Sequence, residues 1–146
     1  MVNKTDRAKM DKTNKIMVVD DEKMIRDLLK KILTNNGYKI ITAKDGVDAL
    51  QKLKTEEASL MISDIKMPRM NGFELLRHVK KNYPKMNIIM MTAYGDTYTV
   101  KNALTMGANE YITKPFRSQE ISLIVERVFW YQQANPKDKK GFLRKV

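Results

Sequence analysis

The 146-residue chain has no cysteine and a single histidine, His78. The first absence excludes disulfides and thiolate metal sites, although it does not by itself fix a compartment. The second leaves no cluster of ligands for a soft metal, and His78 falls in a helical stretch where it reads as a surface residue. Long apolar runs are missing too. The N-terminal "MVNKTDRAKMDKTN" lacks the apolar core of a signal peptide, and no later run approaches the length of a membrane span, so a cytoplasmic setting with no membrane contact is expected.

Acids are scarce: 17 Asp and Glu stand against 28 Lys and Arg, a formal net charge of +11. Residues 1–15 hold five basic side chains against two acids, and residues 131–146 hold five against one. Basic ends of this kind read as solvated tails. Direct nucleic-acid binding would instead need a basic face on a folded element, and none is expected. The stretch "KIMVVDDEKMI" runs against this scarcity, because an apolar strand leads into Asp20, Asp21 and Glu22 in succession. One reading is local: Asp20 caps the following helix, and the next two acids complement its dipole. The other is a metal site.

With 42% hydrophobic and 31% charged residues, the composition is that of a globular protein of one domain. The expected division is a basic tail over 1–14, a domain over 15–131, and a basic tail or linker over 132–146. Within the domain, short apolar runs alternate with amphipathic helices. The strand-like runs are Ile16–Val19, Lys39–Ala43, Leu60–Ser63, Asn87–Met91 and Glu110–Ile112, most of them apolar throughout, as in strands covered on both faces. The first helix repeats Met24, Ile25, Leu28, Leu29, Ile32 and Leu33, and ends before Gly37. Asp45 can cap the second, with Val47, Leu50 and Leu53 inward. Asn71 and Glu74 form a capping-box pattern for the third, which uses Phe73, Leu76 and Val79 and stops before Pro84. The fourth covers roughly Gly95 to Met106. The fifth opens at Ser118 and carries a stripe of Ile121, Ile124, Val125, Val128 and Phe129.

Five strands alternating with five helices imply a doubly wound parallel α/β sheet with helices on both faces. Such a sheet binds its ligand outside the carboxyl ends of its strands, at the point where strand order reverses. Strand one ends at Asp20 and Asp21, strand three at Asp64, strand four at Thr92, and strand five at Lys114. Three carboxylates, a hydroxyl and an ammonium therefore converge on one mouth. Crowded carboxylates repel unless something positive sits among them, and a hard cation such as Mg²⁺ suits an all-oxygen set.

The strings "VVDDE", "ISDIKMPRMNG", "MMTAYG" and "YITKPF", in this order at these strand ends, resemble the receiver domain of two-component response regulators over about residues 15–131. The resemblance implies a flavodoxin-like fold of strand order 2-1-3-4-5. It implies that Asp64 accepts a phosphoryl group from a sensor histidine kinase or phosphotransfer protein, in a chain that catalyses only its own phosphorylation and dephosphorylation. Asp21, Asp64 and the Lys66 backbone carbonyl would bind Mg²⁺, with Asp20 acting through a water, and Thr92 and Lys114 would contact the phosphoryl oxygens. Pro115 matches a position where the family carries a cis peptide bond. Thr92 and Tyr111 would form a switch that alters the surface of helix four, strand five and helix five, which meets a downstream protein or output domain. Lys66 and Tyr94 stand where the family tunes the lifetime of the acyl phosphate, and a bulky Tyr94 implies a moderately long one. Leu123, Trp130 and Tyr131 lie outside the buried stripe of helix five. They mark a surface for a partner or a homodimer, or one that the C-terminal tail covers.

Three rival classes fit less well. A haloacid-dehalogenase-like phosphatase also uses an Asp nucleophile with Thr and Lys at strand ends, but its nucleophile follows strand one as Asp-x-Asp, where this chain has Asp-Asp-Glu. An FMN-binding flavodoxin needs a hydroxyl- and glycine-rich loop there, and three acids would repel the phosphate. A basic nucleic-acid adaptor leaves the carboxylate mouth unexplained.

Overall fold

A computed structural model describes residues 14–93 and 95–133. Its element order is β1 (Lys15–Val19), α1 (Lys23–Asn35), β2 (Lys39–Ala43), α2 (Gly46–Leu53), β3 (Leu60–Asp64), α3 (Gly72–Asn82), β4 (Asn87–Ala93), α4 (Thr97–Thr105), β5 (Glu110–Lys114) and α5 (Ser118–Gln133). All strand pairs are parallel and the order is β2-β1-β3-β4-β5. Strand order therefore reverses between β1 and β3, and the crevice at their carboxyl ends is where such folds bind ligands.

Because side chains alternate along a strand, each strand feeds two cores. Ile16, Val18, Leu60, Ile62, Ile89, Met91 and Ile112 face α1 and α5, where they meet Leu29, Leu33, Ile121, Val125 and Phe129. Met17, Val19, Met61, Ile88 and Met90 face the other way, against Ala49, Leu53, Leu75, Leu76, Val79 and Ala103 of α2, α3 and α4. Each large apolar side chain buried this way contributes about 1.5–3 kcal/mol. The second layer is rich in methionine, whose unbranched thioether fills the irregular space left by three short helices.

The helix starts follow local chemistry. Asp45 Oδ1 accepts from Asp48 N at 2.8 Å and caps α2. Asn71 and Glu74 complete the expected capping box at α3. At α4, which begins at Thr97 and not near Gly95, Asp96 accepts from Thr99 N at 3.1 Å. Two expectations about inward faces need correction. Val47 is 41% exposed, because α2 is short and packs through Gly46, Ala49 and Leu53, a line about 100° away from Val47. On α3 the most buried side chains are Leu75, Leu76 and Val79, with Phe73 only half-buried. His78 is exposed, as expected.

Four residues of the α5 stripe, Ile121, Val125, Val128 and Phe129, are buried and Ile124 packs half-buried against the same core, while Leu123 is 64% exposed and Trp130 39%. The expectation that the C-terminal tail covers them concerns residues outside those described. Among the described residues, no helix is long and apolar enough to cross a membrane.

Candidate functional site: an acidic mouth with one lysine

The site lies at the carboxyl ends of β1, β3, β4 and β5, and strand register sets which side chains meet. Val19 pairs with Ser63, so Asp20 and Asp64, one step further along, stand side by side. Thr92 pairs with Thr113 and Ala93 with Lys114, which brings the hydroxyl and the ammonium to the same rim. Asp64 and Lys114 are the last residues of their strands, and Thr92 is the penultimate residue of β4.

Asp20 is fully buried, Asp64 is 9% exposed and Thr92 2% exposed, whereas Asp21 is exposed. One carboxylate oxygen from each of Asp20, Asp21 and Asp64 lies within 4.8 Å of the others. Lys114 Nζ donates to Asp20 Oδ2 at 2.9 Å and lies 3.3 Å from Asp64 Oδ2. The remaining oxygens are held by backbone: Asp20 Oδ1 accepts from Glu22 N, and Asp64 Oδ1 from Ile65 N, both at 2.9 Å. Asp20 therefore closes a turn two residues ahead and does not cap α1 as the local reading expected. Glu22 occupies the cap position and makes no side-chain cap bond. The Lys114–Pro115 peptide bond is cis.

The electrostatics follow from this geometry. Burial pushes the Asp64 carboxyl above its ordinary value; Lys114 works against the shift and Asp20 adds to it. Burial alone would lower Lys114, but its hydrogen bond to Asp20 and the charges of Asp64 and Asp20 outweigh burial and raise it. The ammonium is thus firmly protonated and is the counter-charge nearest two buried carboxylates. The Thr92 hydroxyl is buried with no hydrogen-bond partner in the structure. A buried polar atom left unpaired is costly and calls for an incoming partner. It borders a cavity of about 290 Å³ that Asp21, Asp64, Lys66 and Lys114 also line. Three carboxylates, with neither thiolate nor imidazole among them, suit a hard divalent cation.

Tyr111 stands apart from this cluster. It is half-buried on β5, and its register with Met90 sets it on the same sheet face as Thr92, the face that α4 covers. Tyr94 lies outside the described residues. Three contributors escaped the sequence reading. Arg26 of α1 donates to the Asp20 backbone carbonyl at 2.7 Å, pinning the turn that carries both early acids. Asp96 lines the cavity as well as capping α4. Arg69 pairs with Asp45. Arg26 lies about one turn into α1, but its bond to the Asp20 carbonyl, like the other two contacts, depends on how a loop folds back.

A doubly wound parallel sheet with three carboxylates and a paired lysine gathered at its switch point defines an α/β module whose ligand site lies at the carboxyl ends of its strands. The model of the response regulator receiver domain matches residues 16–126, and the chain belongs to that family, a module of two-component, phosphorylation-based signalling. It is 37% identical over 114 residues to the alkaline phosphatase synthesis transcriptional regulatory protein PhoP of Bacillus subtilis, covering 78% of this chain and 48% of PhoP. It is 34% identical over 133 residues to the DNA-binding transcriptional regulator NtrC of Proteus hauseri, covering 90% of this chain and 28% of NtrC. The chain thus spans half or less of these curated relatives. Among solved structures, the receiver domain of NtrX from Brucella abortus superposes with a TM-score of 0.75 at 35% identity, covering 78% of this chain and 97% of that one. Receiver domains bind Mg²⁺ at a cluster of acidic residues and interact with histidine kinases or phosphotransfer proteins; as a class they are signalling modules.

Proposed function

We propose that Asp64 is the phosphoacceptor of this chain and that Asp20, Asp21, Asp64 and the Lys66 carbonyl hold Mg²⁺, with Asp20 acting through a water. The observation that carries this reading is the convergence of three carboxylates on one ammonium beside an unpartnered buried hydroxyl. When bound, Mg²⁺ supplies the positive charge that lets an anionic donor approach an anionic acceptor. The chain's own groups do the rest. Ile65 N–H fixes the plane of the Asp64 carboxylate through Oδ1. An Asp64 oxygen attacks the phosphorus of a phosphohistidine protonated on its other ring nitrogen; the P–O bond forms as the P–N bond breaks, and the electron pair leaves on the ring, which becomes a neutral imidazole keeping that proton. Lys114, freed from its double role between Asp20 and Asp64, offsets charge on the transferred group, as phosphoryl transfer depends on positioning and neutralisation more than on covalent help.

The new phosphoryl oxygens are acceptors for the Thr92 hydroxyl. Its movement toward them opens space on the α4 side of the sheet, and Tyr111, on that same face, turns inward. The populations of the α4–β5–α5 surface shift, and with them contact with a downstream protein or output domain. Residues 15–131 form the receiver unit, with basic flanks over 1–14 and 132–146, and the setting is cytoplasmic.

The test is intact mass after incubation with a small-molecule phosphodonor. Wild type should gain the mass of one phosphoryl group with Mg²⁺ and none with a chelator, and Asp64→Asn should gain none. Labelling of Asp64→Asn at the wild-type level would overturn the assignment, and sustained release of phosphate from a phosphomonoester would favour a phosphatase of the haloacid-dehalogenase type.

A further inference from the structure

Between Asp64 and α3 the chain makes an excursion over residues 65–72 that carries Lys66. It is fastened at two places. At its base Gly72 N donates to Ile65 O at 2.7 Å, and a Cβ at Gly72 would meet Ile65 Cα at 2.7 Å, so the two arms of the loop touch backbone to backbone. At its tip Pro68 O accepts from Met70 N at 2.8 Å, closing a three-residue γ-turn around Arg69. Arg69 has φ 66°, and it is the only non-glycine residue with positive φ among the described residues. A γ-turn of this hand is rare and strained, and a long side chain at its centre needs a reason.

The reason is visible in its partner. Arg69 Nε donates to Asp45 Oδ2 at 3.1 Å, and Nη2 donates to the same oxygen. Asp45 is buried, with its side chain 5% exposed, and its other oxygen is already committed to capping α2. A buried carboxylate with one oxygen so engaged requires a cation for the second, and Arg69 provides it. The neighbouring residues fit the same docking: a Cβ at Gly46 would lie 2.9 Å from Met70 Cγ, so the loop tip packs directly on the first residue of α2.

We infer that Arg69 is a positioning residue: by tying the loop tip to Asp45 at the start of α2, it holds the Lys66 carbonyl in place before a cation arrives. This rests on the Mg²⁺ site proposed above. With the ion pair gone, the loop tip keeps only its γ-turn bond and the packing of Met70 on Gly46, Arg69 loses the side-chain anchor that offsets its left-handed conformation, and the loop relaxes between Ile65 and Gly72. α2 thereby belongs to the support of the site although none of its side chains enters it.

The test measures Mg²⁺ affinity by calorimetry and thermal unfolding in chelator for wild type, Asp64→Asn, Arg69→Gly, Asp45→Asn and the Arg69→Gly/Asp45→Asn pair. Glycine accepts the positive φ and asparagine still caps a helix, so both single variants keep the local backbone and remove the tie. Each should weaken Mg²⁺ binding by about tenfold, the usual effect of losing a group that orients a ligand; Arg69→Gly, which leaves the buried Asp45 carboxylate without its cation, should also melt lower in chelator, whereas Asp45→Asn and the pair should melt near wild type. The double variant should bind no more weakly than either single one. Binding lost in Asp64→Asn but unchanged in Arg69→Gly would overturn the role of Arg69 alone. Absence of Mg²⁺ binding by wild type would overturn both this role and the site reading beneath it.

Discussion

Asp20 and Asp64 are buried side by side with Lys114 as the nearest cation, and an acid held in that way is a liability in the absence of metal. Asp64 has a raised pKa, so the folded chain binds its proton more tightly than the unfolded chain does. Its contribution to stability is therefore most favourable below the unfolded value of about 3.9 and declines as pH rises through the folded value. In chelator, Asp64→Asn should unfold at a higher temperature than wild type at pH 7, and the difference should shrink as pH falls toward 4. An unchanged gap across that range would mean that the shift at Asp64 is absent. The convergence of Asp20, Asp64, Thr92 and Lys114 was legible in the sequence because a parallel sheet sends all its strand ends to one rim. Arg26 and the Arg69–Asp45 tie were not, since each contact depends on how a turn folds back on itself, and composition carries no trace of a γ-turn around arginine.

At the scale of elements, the start of α3 is pressed against the strand that carries Asp64. A Cβ at Gly72 would clash with the Asp64 carbonyl oxygen and sit 2.8 Å from Met90 Cε as well as against Ile65. Backbone cannot move aside as a side-chain end can. Gly72→Ala should thus cost about 1–3 kcal/mol by chemical denaturation, the range for overpacking a tight site, and should slow labelling of Asp64 by shifting its backbone. Wild-type stability in that variant would show that the loop has slack. The helices themselves were largely readable: capping at Asp45 and Asn71, the termination near Gly37 and the α5 stripe all stand where local pattern set them. What the pattern missed, the exposure of Val47 and the burial of Leu75, reflects which line of a short helix the sheet selects, a tertiary choice that an eight-residue segment such as α2 cannot announce.

For the whole molecule, the five parallel strands followed from alternation and right-handed crossovers, their order from the resemblance that the strand-end strings carry, and the two apolar cores from the period of two along each strand. Between the two apolar cores and clear of both, the carboxylates of Asp20, Asp21 and Asp64 gather in a negatively charged mouth. Filling it should stabilise the entire domain: a ligand present at a hundred times its dissociation constant adds about 2.7 kcal/mol. Mg²⁺ should raise the unfolding temperature of wild type, and Asp21→Ala, which removes an exposed acid with little structural cost, should lose most of that increase. Equal increases in both would place the cation elsewhere.

The central claim, that a carboxylate at the end of β3 receives the phosphoryl group, is met most directly by locating the label. Borohydride reduces an aspartyl phosphate to homoserine with release of phosphate, leaving a mark that peptide mass spectrometry can assign to one residue. After treatment with phosphodonor and Mg²⁺, the mark should fall at position 64 and nowhere else. A mark at position 20 or 21, or a stable phosphate on His78 with position 64 untouched, would contradict the account.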